Sequence, residues 1–262
     1  MNIQAFRQKK QEGQRISMVT CYDSWSARLI AGSPIDCVLV GDSLAMVVYG
    51  HETTLPVDTD VMVAHTAAVR RGAPKKFIVG DMPFLSYRRG RDKAVENAGK
   101  LMRAGAQAVK LEGADGNIDT VRYLVESGIP VMGHLGLTPQ SVHQLGGFRV
   151  QGRGDDAAAR LEQQALELQA AGCFSIVLEA MPSAVASRLT AALDIPTIGI
   201  GAGPETDGQV LVLHDLLGLN TAFRPRFVRT WMDGAGSISR ALDGFHSAVS
   251  SGDFPAEEEC YS

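Results

Sequence analysis

One alternation runs through most of this chain: short apolar runs rich in Val and Ile, each followed by a polar residue or Gly and then by a helical pattern ending in Gly. The strand candidates are Ile16–Cys21, Cys37–Gly41, Lys76–Gly80, Ala108–Leu111, Pro130–Gly133, Ser175–Leu178 and Thr197–Ile200. An eighth run, Ala222–Val228, is weaker because Pro225 limits its pairing. Continuous apolar runs, rather than strict apolar/polar alternation, suit parallel strands buried on both faces. Between them, residues 155–171 put Leu161, Ala165 and Leu168 on one helical face, with Asp155 or Asp156 as N-cap and Gly172 just past the end. Val95, Ala98 and Met102 do the same before Gly105, Asp60 and Gly72 bracket a helix over Val61–Arg71, and Gly128 follows a helix over 118–127. Each terminal Gly is expected to supply a left-handed cap.

Eight such runs in 262 residues match the size of an α/β single-domain (β/α)8 barrel, a TIM barrel. A doubly wound open sheet is the alternative. No linker divides the chain, so one domain is expected over 1–262, with an N-terminal segment 1–15 and a flexible or surface-lying tail at 252–262. The formal charge of −4 argues against nucleic acid, whose binders carry a basic face, and Arg88-Arg89-Gly90-Arg91 reads as a solvated loop. Cys21, Cys37, Cys173 and Cys260 form no Cys-x-x-Cys pair and read as buried free thiols of a reducing compartment. A secretory signal pattern is missing and no apolar run reaches the roughly 18 residues of a membrane span. A cytoplasmic protein is expected.

In parallel α/β folds the ligand sits beyond the carboxyl ends of the strands. Here those ends read Gly41-Asp42-Ser43, Gly80-Asp81, Lys110-Leu111-Glu112, Gly133-His134 and Leu178-Glu179. One such residue is readily explained as a helix cap, but five strands in succession are not. Lys110 and Glu112 are two apart and point to one side of strand four. A buried Lys keeps its charge only beside carboxylates. Three converging carboxylates would repel one another unless a cation neutralised them, and oxygen ligands open to substrate suit Mg2+. His134 is either a ligand or a residue that orients a neighbour.

Other motifs are weaker. Gly199-Ile-Gly-Ala-Gly203 resembles a dinucleotide fingerprint, but Pro204 replaces its last Gly and it follows the seventh strand. A Gly-rich turn at a barrel mouth is the better account. Serine-hydrolase elbows, zincin helices and P-loops have no counterpart.

The segments Met18-Val-Thr-Cys-Tyr-Asp23, Val40-Gly-Asp-Ser-Leu44, Gly50-His-Glu-Thr-Thr-Leu-Pro-Val57, Gly80-Asp-Met-Pro-Phe84, Val109-Lys-Leu-Glu-Gly113, Gly133-His-Leu-Gly-Leu-Thr-Pro139 and Gly199-Ile-Gly-Ala-Gly203 resemble those of the ketopantoate hydroxymethyltransferase family. The likeness runs from about residue 3 to Phe254-Pro255. It implies a (β/α)8 barrel, Mg2+, and a 2-oxo acid, 3-methyl-2-oxobutanoate, alkylated at C3 by 5,10-methylenetetrahydrofolate as co-substrate, in pantothenate biosynthesis. By resemblance, Asp42 and Asp81 are metal ligands and Glu112 a third metal-associated carboxylate. Asp42, Ser43, Asp81 and Lys110 hold substrate, and Glu179 is the general base. A homo-oligomer, a homodecamer in bacterial members, is also implied. The chemistry suits the residues: the metal polarises the carbonyl, Lys110 adds positive charge beside the oxygens, and Glu179 on a separate strand stays basic. The glutamyl end of the folate is expected near Arg88, Arg89 or Arg91.

Three rival readings remain at this point. A lyase or mutase of the phosphoenolpyruvate mutase and isocitrate lyase kind would use related Mg2+ chemistry without folate. A Schiff-base aldolase would use Lys110 as nucleophile. A barrel-fold binding protein would leave the ionisable strand ends unexplained.

Overall fold

A computed structural model of the chain describes residues 1–222 and 224–261. Eight parallel strands close into a barrel in sequence order, β1 pairing with both β2 and β8. The chain runs α1 (Ile3–Gln11), β1 (Ile16–Thr20), α2 (Ser24–Ala31), β2 (Cys37–Val40), α3 (Leu44–Val47), α4 (Thr59–Gly72), β3 (Phe77–Asp81) and α5 (Arg91–Ala104). It continues through β4 (Ala108–Lys110), α6 (Ile118–Glu126), β5 (Val131–Gly136), α7 (Val142–Leu145), α8 (Asp155–Ala170) and β6 (Ser175–Glu179). The barrel ends with α9 (Ser183–Ala192), β7 (Thr197–Ile200) and β8 (Gly208–Leu211). Met1–Val212 form one compact unit holding the whole barrel; Leu213–Ser262 form a second, with α10 (Leu213–Leu216) and α11 (Gly234–Ser251).

The expected eighth strand is the main correction. Among the described residues of 222–228 there is no strand, Phe223 lying outside them, and Gly208–Leu211 closes the barrel instead. Parallel neighbours ordinarily need a crossover of about a dozen residues or more. Here residues 201–207 return the chain with no helix. Asp207 ties the return down by accepting from Thr197 N–H at 2.8 Å, and Gln209 bonds the Gly203 carbonyl at 2.9 Å.

Three caps also differ. The N-cap of α4 is Asp58, which accepts from the Val61 N–H, and Asp60 lies in the first turn. The N-cap of α8 is Gly154, so Asp155 and Asp156 occupy its first turn, where acids favour the positive end of the helix dipole. Gly105, Gly128 and Gly172 are left-handed, but Gly72 is the last residue of α4 and is not. Its need for Gly is steric: a Cβ there would meet the Ser24 carbonyl oxygen and lie 2.6 Å from Ala27 Cβ, where α4 crosses α2.

The N-terminal segment is also structured. α1 carries Phe6, fully buried, into the barrel bottom, its ring 5.4 Å from Phe77 and 5.2 Å from Phe174. Above it, alternate strand residues such as Met18, Leu39, Val79, Met132 and Val177 fill the interior. Lys9 pairs with Asp36 and Lys10 with Asp207, each at 2.8 Å, clamping α1 to the barrel.

Cys21, Cys37 and Cys173 are buried free thiols, but Cys260 is exposed. Arg88, Arg89 and Arg91 are exposed. The tail from 252 is exposed apart from Ala256, its last residue Ser262 lying outside the described set. No helix among the described residues is long and apolar enough to cross a membrane.

Candidate functional site

Strand periodicity builds the site. Side chains two apart share a face, so the interior rows Phe77, Val79 and Met132 lead upward to Asp81 on β3 and His134 on β5, with Lys110 above Ala108 on β4 and Glu179 above Val177 on β6. Register aligns Asp81 with Lys110 across β3 and β4. Asp42 and Glu112 lie two residues past the ends of β2 and β4. Asp42 is out of phase with the interior residues Cys37 and Leu39, so the turn after β2, not strand alternation, brings it in. The residues expected at five strand ends therefore form the top layer of one barrel interior.

Lys110 Nζ is 2.8 Å from Asp81 Oδ1, 3.6 Å from Glu112 Oε1 and 3.4 Å from His134 Nδ1. Asp81 Oδ1 meets the ammonium as an ion pair and has no aligned hydrogen bond; Oδ2 accepts the Asp42 backbone N–H at 3.1 Å. His134 stands between two carboxylates, Nδ1 at 3.4 Å from Glu112 and Nε2 at 3.2 Å from Glu179, the latter not aligned as a hydrogen bond. Asp81, Lys110, Glu112 and His134 side chains are 1–4% exposed, whereas Glu179 is 19% exposed and faces the opening. Ser43, half-buried, shares a 2.8 Å hydrogen bond with the Tyr22 hydroxyl.

The electrostatics follow from crowding. Burial first, then repulsion by Asp81 and Glu112, hold the Asp42 carboxyl well above the usual range. Burial and Glu112 also raise Asp81, against the pull of Lys110. Burial alone would strip Lys110 of its proton, but Asp81, Glu112 and Asp42 reverse that and keep it charged. Glu112 is held low, against burial, chiefly by Lys110 and His134. For His134, burial and Lys110 act downward, yet Glu112 and Glu179 lift it to about 9.

Sequence reasoning missed Tyr22, Tyr87 and Gln140. Gln140, 5% exposed, lies in the turn Pro139–Ser141 after β5. Its amide donates to Asp42 Oδ2 at 2.8 Å, and its backbone N–H to Glu112 Oε2 at 2.9 Å. The available signal was a polar residue directly after Thr138-Pro139 in a loop at the functional face of the barrel. A cleft of about 870 Å3 borders the site, lined by Gly136, Gln140, Arg88, His143 and Arg160 among others. Gly136 has φ 92°, and a Cβ there would meet the Glu179 carbonyl oxygen, so only Gly lets β5 end this close to the candidate base.

Among the described residues no three His, Cys, Asp or Glu side chains are gathered as a ready metal sphere. In donor type, however, the buried oxygens of Asp42, Asp81 and Glu112 fit a hard divalent cation. Burial first, and repulsion among the carboxylates after it, disfavour ionised Asp42 and Asp81, and a bound cation would relieve both effects.

The family model described as ketopantoate hydroxymethyltransferase matches residues 1–257. The chain belongs to the ketopantoate hydroxymethyltransferase family. Family relatives bear the name 3-methyl-2-oxobutanoate hydroxymethyltransferase. That of Bdellovibrio bacteriovorus is 59% identical over 257 residues, 98% of either chain. That of Coxiella burnetii is 53% identical over 263 residues, covering 100% of this chain and 99% of its own. Membership of the ketopantoate hydroxymethyltransferase family makes the chain an enzyme, a transferase. Solved structures share the fold at low identity. Phosphonopyruvate hydrolase, in complex with oxalate and Mg++, has a TM-score of 0.65 at 10% identity, covering 99% of this chain and 93% of its own. 2,3-Dimethylmalate lyase gives 0.64 at 15%, covering 99% and 91%. At such identities the likeness to lyases is one of fold, whereas the ketopantoate hydroxymethyltransferase match spans nearly the whole sequence.

Proposed function

We propose that this enzyme transfers a hydroxymethyl group from 5,10-methylenetetrahydrofolate to 3-methyl-2-oxobutanoate, giving 2-dehydropantoate for pantothenate biosynthesis. The observation that carries the reading is the set of Asp42, Asp81, Lys110, Glu112 and Glu179 in one barrel mouth, in a chain 59% identical to a namesake of that activity. Asp42 and Asp81, with Glu112, would hold Mg2+. When bound, the ion supplies Lewis-acid charge to the carbonyl and carboxylate oxygens of the 2-oxo acid.

The protein's own groups do the rest. Lys110, kept charged by its carboxylates, draws the anionic substrate in and holds its oxygens. Ser43, oriented by Tyr22, adds a hydroxyl beside it. Glu179, the least enclosed carboxylate of the group, takes the C3 proton, and His134 keeps its carboxylate aimed. Water adds to the methylene carbon of the folate, and both of its C–N bonds break with the two nitrogens taking up protons. The electron pair left at C3 attacks the one-carbon unit so released at the oxidation level of formaldehyde. The oxygen of that unit takes the proton back from Glu179 to become the hydroxymethyl group. The cleft beside Gln140 and Gly136 accommodates that co-substrate, with Arg88 and Arg160 for its glutamyl carboxylates. Assembly as a homo-oligomer and residence in the cytoplasm belong to the same reading.

The test is consumption of 3-methyl-2-oxobutanoate by the purified protein. Turnover should need both Mg2+ and methylenetetrahydrofolate and stop with EDTA. Turnover of the 2-oxo acid without folate would move the protein to the lyases.

A further inference from the structure

Three polar groups of Gln140 make four hydrogen bonds to three different segments. Nε2 donates to Asp42 Oδ2 at 2.8 Å and to the Met82 carbonyl at 3.0 Å, just past β2 and β3. Oε1 accepts from the Tyr87 hydroxyl at 2.7 Å, and the backbone N–H donates to Glu112 Oε2 at 2.9 Å, past β4. The amide has only one tenable orientation. The Met82 carbonyl is a pure acceptor, so a flipped amide would set oxygen against oxygen there and at Asp42. Tyr87 serves as the donor that holds the other end, its hydroxyl 2.7 Å from Oε1. At 2.7 Å its proton goes to Gln140, which leaves the Glu112 backbone N–H to donate to it at 3.3 Å. Next to Tyr87, Asn97, 5% exposed, donates to the Ser86 carbonyl at 2.7 Å and ties that loop to α5.

We infer that Gln140 is a positioning residue that restrains the Asp42 and Glu112 carboxylates together for a divalent cation. The inference rests on the metal reading above. Carboxylates that ligate metals are commonly fixed by hydrogen bonds of this kind, and losing such a bond typically costs about 10–100-fold in metal affinity. Gln140 spans two of the three carboxylates at once, so its effect belongs to the upper part of that range. None of its four hydrogen bonds goes to Glu179, so the expected defect is in metal affinity rather than in proton transfer.

The experiment is calorimetric titration of the folded enzyme with Mg2+ alone, wild type against Gln140→Met, which keeps volume and removes the amide, and against Tyr87→Phe. Gln140→Met should bind Mg2+ about 10–100-fold more weakly, and Tyr87→Phe, which loosens the amide from its far end, several-fold more weakly. Turnover of Gln140→Met should return toward wild type as Mg2+ is raised, which a general loss of structure would not do. Equal Mg2+ affinity in wild type and both variants overturns the inference and leaves the metal reading standing. Failure of the wild type to bind Mg2+ overturns the metal reading, and the inference with it. Should Gln140→Met not fold, unchanged affinity in Tyr87→Phe suffices to overturn the inference.

Discussion

Glu179 differs from Asp42, Asp81 and Glu112 by its environment rather than its chemistry: it is the partly open one of the four, and His134 Nε2 lies 3.2 Å from it. Glu179→Gln keeps the shape and removes the base. Binding of Mg2+ and 3-methyl-2-oxobutanoate should persist, while exchange of the C3 hydrogen with D2O should slow by about 10²–10⁴-fold. NMR in the absence of folate reads this directly; exchange near the wild-type rate would show that Glu179 is not the base. Lys110 is the complementary case. Locked to Asp81 at 2.8 Å and held charged, it is a poor nucleophile, because a Schiff base needs a neutral amine. Borohydride with 3-methyl-2-oxobutanoate should leave no adduct on Lys110 by mass spectrometry, and a stoichiometric adduct would mean an aldolase.

At the scale of elements, α1 does two things that its polar sequence conceals. Its single core residue, Phe6, fills the barrel bottom between Phe77 and Phe174. Phe6→Ala should cost about 3–5 kcal/mol in denaturant unfolding, the range for truncating a buried aromatic. Its charged end is pH-sensitive. Burial alone would raise the Asp36 carboxyl, but Lys9 and the Ser17 N–H hold it below its ordinary value. A carboxyl depressed in the folded state stabilises above its unfolded pKa of about 3.9, and that contribution is lost as pH falls through the lower folded value. Lys9→Gln should therefore lower Tm at pH 6 and flatten the decline of Tm from pH 5 to 3. An acid limb identical to wild type would show that the pair contributes nothing.

For the whole molecule, everything depends on closure between β8 and β1. Gly208 stands opposite Ile16 in that seam, where a Cβ would meet the Ile16 carbonyl oxygen and lie 2.7 Å from Ile198 Cδ1. Backbone cannot yield as a side-chain tip can, so Gly208→Ala should destabilise by at least the 1–3 kcal/mol typical of overpacking. Thermal denaturation tests it. If the strand were instead at 222–228, the substitution would be harmless, and an unchanged Tm would overturn the closure described here.

The barrel was legible because its rule is local. A parallel strand buried on both faces must be apolar throughout, and a period of two then carries Asp81 onto the same face as Phe77 and Val79 without knowledge of any partner. Asp42, Ser43, Asp81, Lys110, Glu112, His134 and Glu179 could be picked out for the same reason, since strand ends in such folds face the ligand. Tertiary structure alone decided what depends on distant pairing. It turned an unremarked Phe6 into the floor of the barrel and closed the ring at Gly208 through a return too short to carry a helix. It also brought Gln140 to an aspartate 98 residues away. No local spacing encodes these contacts, because each partner is chosen only when the eight strands close and leave one polar side chain facing one buried carboxylate.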